Sequence, residues 1–207
     1  MVVAKQEQAQ GRREALLQAA AEIFFEQGYA ATRIDSIIER AGGSKRNIYS
    51  EFGNKEGLFT AIVARSADKA LAMLSLEDVR GRDLRQTLTA FGRDLMYVYM
   101  SPSVINIFRI VITEANRFPD LVKSFYEQGP GRTAARLAEV LESEQARGTI
   151  RSVDCGLAAS HFVGMIRDNL HLQVVLGIRP PPTHDEVQQT VDAAVDVFLS
   201  GIRRGRD

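Results

Sequence analysis

Four hydrogen-bond donors crowd one short stretch of this chain: Lys45, Arg46, Asn47 and Ser50. An arginine fork matches guanine O6 and N7, and an asparagine amide matches adenine N6 and N7. Lysine meets a phosphate as a point charge. Ser44 stands before them as a helix cap, so Lys45 to Asn47 lie on a first helical turn, where free N–H groups favour an anion. Ile48, Tyr49 and Phe52 anchor the opposite face of the same helix. A lysine–arginine pair on a helix is ordinarily a solvated face. Here a glycine turn, Ala41-Gly42-Gly43-Ser44, precedes it and aromatic anchors follow it. Tyr49 reads either as a core aromatic or as a ring that packs while its hydroxyl stays accessible.

A second set of residues suggests a ligand pocket. His161, Met165, Asp168 and Leu172 share one face of a long apolar helix by their spacing. Aromatic and aliphatic side chains are frequent on the preceding helices: Phe91, Leu95, Tyr99, Phe108, Ile112, Phe125 and Tyr126. The expected ligand-binding set is Phe91, Phe108, Ile112, Phe125, His161, Met165 and Asp168. The competing readings are plain core packing and, for His161 and Asp168, hydrogen bonds across a dimer interface. A metal set of His161, Asp168 and His171 is disfavoured, because His171 lies well off the shared face. The single cysteine, Cys155, excludes an intramolecular disulfide and a cysteine-built zinc site, and reads as a packing residue. No Ser/His/Asp grouping and no phosphate-cradling glycine loop stands out, so neither catalytic residues nor a cofactor is expected.

The elements that position these residues are helices. The chain has 207 residues, 45% of them apolar, enough for a sizeable core. Apolar residues recur with helical spacing, and strand signals are nearly absent. Helices are expected over about Arg12 to Gln27, from Thr32 to Ala41 and over Lys45 to Phe52. Further ones run from Lys55 to about Leu74, from Asp83 to Met100 and over Ser103 to Arg117. Leu121 to Gln128 and Arg132 to Ala146 are helical, kinked or split at Gly129-Pro130-Gly131. Asp154 caps a helix reaching Leu176, and Thr183 caps the last. Thr32-Arg33-Ile34-Asp35 resembles a capping box. A loop is expected near Glu77 to Arg82, and the tail from Arg203 is expected to fray.

The expected fold class is all-α, with about nine helices. A three-helix helix-turn-helix domain over residues 10–56 precedes a larger bundle over 57–207. Charge does not mark a nucleic-acid binder: the net charge is zero, and residues 1–56 hold eight basic and eight acidic side chains. The argument rests on where the charges lie. Met1 to Gln10 lack an apolar stretch and no run of 18 apolar residues occurs, so a cytoplasmic protein without membrane contact is expected.

The string from Ala41 to Phe59, AGGSKRNIYSEFGNKEGLF, resembles the DNA-binding signature of the TetR family of transcriptional regulators. The resemblance covers about the first 60 residues. The segment Phe108 to Arg132 resembles one subgroup of the family's C-terminal domains. The resemblance implies that Thr32 and Tyr49 contact phosphate, that Lys45 to Asn47 face the groove and that Lys55 reaches the DNA backbone. With Ser44 at the helix start, the DNA-binding set is Thr32, Ser44, Lys45, Arg46, Asn47, Tyr49 and Lys55. Ser36-Ile37-Ile38 departs from the family's usual Ile-Ala pair, which puts the local helix packing in question. Family membership further implies a homodimer through the last two helices, with Gly156, Ala159, Ser160, Gly164 and Ala193-Ala194 allowing close approach. The partners would be a palindromic double-stranded operator and a small-molecule inducer. A ligand-independent DNA-binding protein and, less favoured, a small helical enzyme are the alternatives.

Overall fold

The computed structural model describes residues 2–74 and 83–202, with side chains from Gln10 onward. The expected loop at Glu77 to Arg82 and the tail from Arg203 fall outside these residues. The described helices are α1 (Val2–Gln27), α2 (Ile34–Ala41), α3 (Lys45–Phe52), α4 (Lys55–Met73), α5 (Leu84–Met100), α6 (Pro102–Glu114), α7 (Pro119–Tyr126), α8 (Arg132–Ala146), α9 (Cys155–Val175) and α10 (His184–Ile202). A π-helical turn, Glu127–Gly131, joins α7 to α8 and contains Pro130. The all-α expectation holds. The caps read from sequence are in place at several starts. Asp83 and Gln86 form a capping box, Asp154 accepts the Leu157 N–H, and Thr183 exchanges bonds with Glu186.

Two compact units emerge. One comprises the chain up to Ser66 together with Asn106–Gln128. The other comprises Ala67–Ile105 and the chain from Gly129 onward. The first therefore differs from the expected 10–56 segment, and its core gives the reason. Leu17, Phe24, Tyr29, Ile37, Ile48, Leu58 and Phe59 pack in one cluster with Ile107, Val111 and Leu121 from α6 and α7. The helices α1, α2 and α3 alone do not enclose that much apolar surface, so the start of α4 together with α6 and α7 completes the core. Ring contacts within about 5.6 Å link Phe24, Tyr29 and Phe59, and Phe118 stands edge-on to Tyr29 at 4.9 Å. Ile37 is fully buried and Ile38 packs at the cluster's edge, so the departure at Ser36-Ile37-Ile38 is accommodated as core.

In the second unit α5, α9 and α10 pack on one another, and α8 packs on α9. Phe162 joins Phe91 at 6.3 Å and Phe198 at 5.0 Å. Gly92 allows the three helices to approach: a β-carbon there would lie 2.8 Å from Ile166 Cδ1 and 3.0 Å from Val191 Cγ1. α9 is interrupted at Asp168, whose backbone (φ 39°, ψ −170°) is not helical. Among the described residues no single helix is long and apolar enough to cross a membrane.

Candidate nucleic-acid interface

The turn between α2 and α3 depends on glycine. Gly42 and Gly43 have φ of +74° and +106°, values that L side chains rarely adopt. Ser44 then caps α3, its Oγ accepting the Asn47 N–H at 3.3 Å. Ile48 is buried and fixes the helix from below. The result is a two-turn helix with its polar face in solvent. Arg46 and Tyr49 have no hydrogen-bond or ionic partner among the described residues, and Tyr49 is 48% exposed. The Asn47 side-chain amide is likewise unengaged, while the Ser50 hydroxyl bonds back to the Asn47 backbone carbonyl. Lys45 pairs with Asp35 at 2.8 Å, with both side chains about half exposed. Such a pair is weak and yields readily to a phosphate.

Thr32 and Lys55 have another occupation. Thr32 is buried, and its hydroxyl donates to the Gly28 carbonyl at 2.8 Å. That proton is unavailable to a phosphate, and it also removes the expected capping box. The N-cap of α2 is Arg33, without a side-chain bond. Lys55 donates to the carbonyls of Tyr29, Ala30 and Thr32 at 2.8, 3.2 and 3.1 Å. Its ammonium also stands 4.6 Å above the Tyr29 ring. Burial holds the lysine below its usual pKa, opposed by the charge of Glu114. Glu114, itself buried, accepts the Ala30 N–H at 3.2 Å. Lys55 and Glu114 thus clamp the loop from Tyr29 to Thr32, out of which α2 starts.

Two arginines outside the expected set lie nearby. Arg33 is exposed at the start of α2 and has no partner among the described residues. Arg12 borders a cleft of about 520 Å³ beside the Gly42-Gly43-Ser44 turn. Adjacency to Thr32 was the one sequence signal for Arg33. Nothing local marked Arg12, since α1 meets the turn only through the fold.

The expected ligand set is dispersed. Phe91 is fully buried in the second unit, against Phe162. Phe108 and Phe125 meet at 5.7 Å in the first unit, both half-buried, and Ile112 is 54% exposed. Of His161, Met165, Asp168 and Leu172, expected on one face of α9, none is buried and three are exposed. His161 and Met165 line an open groove of about 450 Å³ with Leu157 and Val197. His171, expected away from the action, is buried, and its ring stands 5.5 Å from that of Tyr99. Cys155 is buried and packs against Gln145, where burial pushes its thiol pKa up.

Residues 16–62, which contain the capped helix and its glycine turn, match the family described as bacterial regulatory proteins, tetR family. Residues 86–201, more than half the chain, match the AefR-like transcriptional repressor C-terminal domain. The chain belongs to the TetR family. The flavonoid-responsive regulator FrrA is 30% identical in sequence, with a TM-score of 0.82 over 94% of this chain and 98% of its own. The Escherichia coli repressor ComR is 40% identical over 60 residues, and the Mycolicibacterium smegmatis activator FasR is 39% identical over 85. The chain spans 29% and 38% of the lengths of those two curated relatives. In TetR terms α2 and α3 are the helix-turn-helix and α3 the recognition helix. Family and fold are those of transcriptional regulators rather than enzymes.

Proposed function

We propose that this TetR-family chain is a homodimeric repressor that holds a palindromic operator and leaves it when a small apolar or amphipathic ligand binds. The observation that carries the DNA reading is the capped α3, whose Arg46, Asn47 and Tyr49 side chains face solvent with no hydrogen-bond or ionic partner among the described residues. Base-edge contacts fall to Arg46 and Asn47, and phosphate contacts to Lys45, Tyr49 and the α3 N-terminus at Ser44. Thr32 and Lys55 act by positioning: they fix the loop that starts α2.

The dimer reading is supported by the outward face of α9 and α10. Leu157 and Val197 are 54% and 65% exposed, beside His161 and Met165. Gly156, Ser160, Gly164 and Ala193 lie on exposed positions, as close approach requires. Ala159 and Ala194 face their own core instead. A second copy covering this stripe makes an isologous interface. Two recognition helices about 34–36 Å apart then enter successive major grooves on one side of the duplex. The cytoplasm is where such a protein meets its operator. The repressor role follows the AefR-like and ComR similarities, and the ligand role draws on FrrA.

The test is selection of bound fragments from genomic DNA, followed by titration of the best site. A palindromic footprint bound by dimers, with affinity falling steeply as salt rises, is expected. Uniform binding to all fragments, or a monomer by light scattering at micromolar concentration, overturns the reading. A reporter driven from the selected site fixes the sign, since the similarity to FasR favours activation.

A further inference from the structure

We propose that the Tyr99 hydroxyl is the hydrogen-bonding group of an effector site between α5 and α9 for an uncharged aromatic hydroxyl compound, with the His171 ring as its wall. The proposal rests on the reading that a small ligand controls DNA binding, and it names where and by what chemistry that ligand is held.

Tyr99 is only 8% exposed, yet its hydroxyl has no hydrogen-bond partner among the described residues. Buried phenols nearly always find a partner, because an unmade bond forfeits the group's hydration without return. A residue that keeps such a group near the end of α5 has a use for it. A ligand oxygen placed there recovers the missing bond.

The surroundings select the ligand's chemistry. The His171 ring lies 5.5 Å from the Tyr99 ring, inclined by 52°. The same ends of α5 and α9 bury Met96, Met100, Val174 and Val175. Rings and thioethers favour an aromatic guest. Burial pushes the Tyr99 pKa up to about 12 and, as the larger cause, the His171 pKa down to about 4, so the region disfavours charge of either sign. An uncharged hydroxyl enters at less cost than a carboxylate.

Access comes from the break in α9. Asp168 lies three residues before His171, with positive φ in a non-glycine residue. A helix interrupted there lets its last two turns move while the packing at Phe162 and Ile166 persists. Seating the ligand thereby repositions the C-terminal part of α9.

The test uses the full chain and its Tyr99→Phe variant with 2-naphthol, 2-methylnaphthalene and 2-naphthoate, followed by calorimetry. The wild type is expected to prefer 2-naphthol at least tenfold over both others. Tyr99→Phe should abolish that preference while melting at the same or a higher temperature without ligand. The proposal is overturned if none of the three binds, or if the variant keeps the preference. It is also overturned if the variant alone melts lower, since the hydroxyl is then bonded within the fold. Preferential binding of 2-naphthol without any change in operator occupancy leaves the site standing and removes the release reading. A compound that frees the operator equally from wild type and Tyr99→Phe does the reverse.

Discussion

In the recognition unit Lys55 commits its ammonium to three carbonyls, while in the α9 unit Tyr99 keeps a buried hydroxyl bonded to nothing among the described residues. Among the described residues, no buried side-chain nitrogen or oxygen of the first unit lacks a partner, and the side chains of Arg46, Asn47 and Tyr49 are unengaged on the outside. The second buries Thr87, Thr133, Glu144 and His171 among apolar side chains. A surface that must dock rigidly on a fixed duplex gains from over-determined supports behind it. A unit that must respond gains from polar groups whose bonding changes with state.

The same contrast appears in how each unit uses glycine, and this gives the largest expected effect. A β-carbon at Gly57 would lie 2.0 Å from the Phe52 carbonyl oxygen and 3.1 Å from its carbon. Those are backbone atoms at the end of the recognition helix, and they cannot yield without moving α3. Gly57→Ala should cost about 3 kcal/mol, the upper end of overpacking, read as a fall in the urea midpoint. Operator binding should fall with it. A variant that folds and binds DNA like the wild type would mean that the recognition helix is not rigidly supported.

Next comes Lys55→Met, which keeps the stem and removes the charge-assisted bonds. A cost of about 2 kcal/mol in stability is expected. The dependence of operator affinity on salt should keep its slope, because no phosphate contact is lost. A slope flatter by about one unit would assign the ammonium to the DNA backbone after all.

Arg46→Ala separates reading from support. Stability should not change, since the side chain has no hydrogen-bond or ionic partner among the described residues. Discrimination at one operator position should fall by about 1–3 kcal/mol, measured by competition among single-base operator variants. Unchanged preference would move base recognition to Asn47 or to Arg33.

These contrasts also explain what the sequence could and could not reveal. The recognition helix was legible because its determinants are local: a serine cap, two glycines in the turn and anchors one helical turn apart. The helix start at Lys55 is legible in the sequence, but the carbonyls that take its ammonium are not, since they lie 23 to 26 residues earlier. Helical spacing grouped His161, Met165, Asp168 and Leu172, and none of the four is buried. Spacing alone does not say whether a face turns inward or outward, and on a helix apolar nearly all round the pattern carries no such contrast. Beyond the break at Asp168, His171 is buried while its neighbour Leu172 is 48% exposed.

The smallest effect should belong to Gly92→Ala, and its size tests whether the second unit is the softer of the two. The new methyl would meet Ile166 Cδ1 at 2.8 Å and Val191 Cγ1 at 3.0 Å. Both atoms are the ends of side chains, which can shift by a few tenths of an ångström where the Phe52 backbone cannot. Alanine in place of glycine also recovers about 1 kcal/mol of helix propensity inside α5, against about 1–3 kcal/mol for overpacking. The net cost should therefore be about 1 kcal/mol or less, a third of that at Gly57. Gly92→Val removes the propensity gain and adds two methyls at the same contact, so it should be clearly worse than alanine. If Gly92→Ala proves as damaging as Gly57→Ala in the same urea titration, α5, α9 and α10 are locked as firmly as the recognition helix. The contrast between a rigid reader and a yielding responder would then have no basis in their packing.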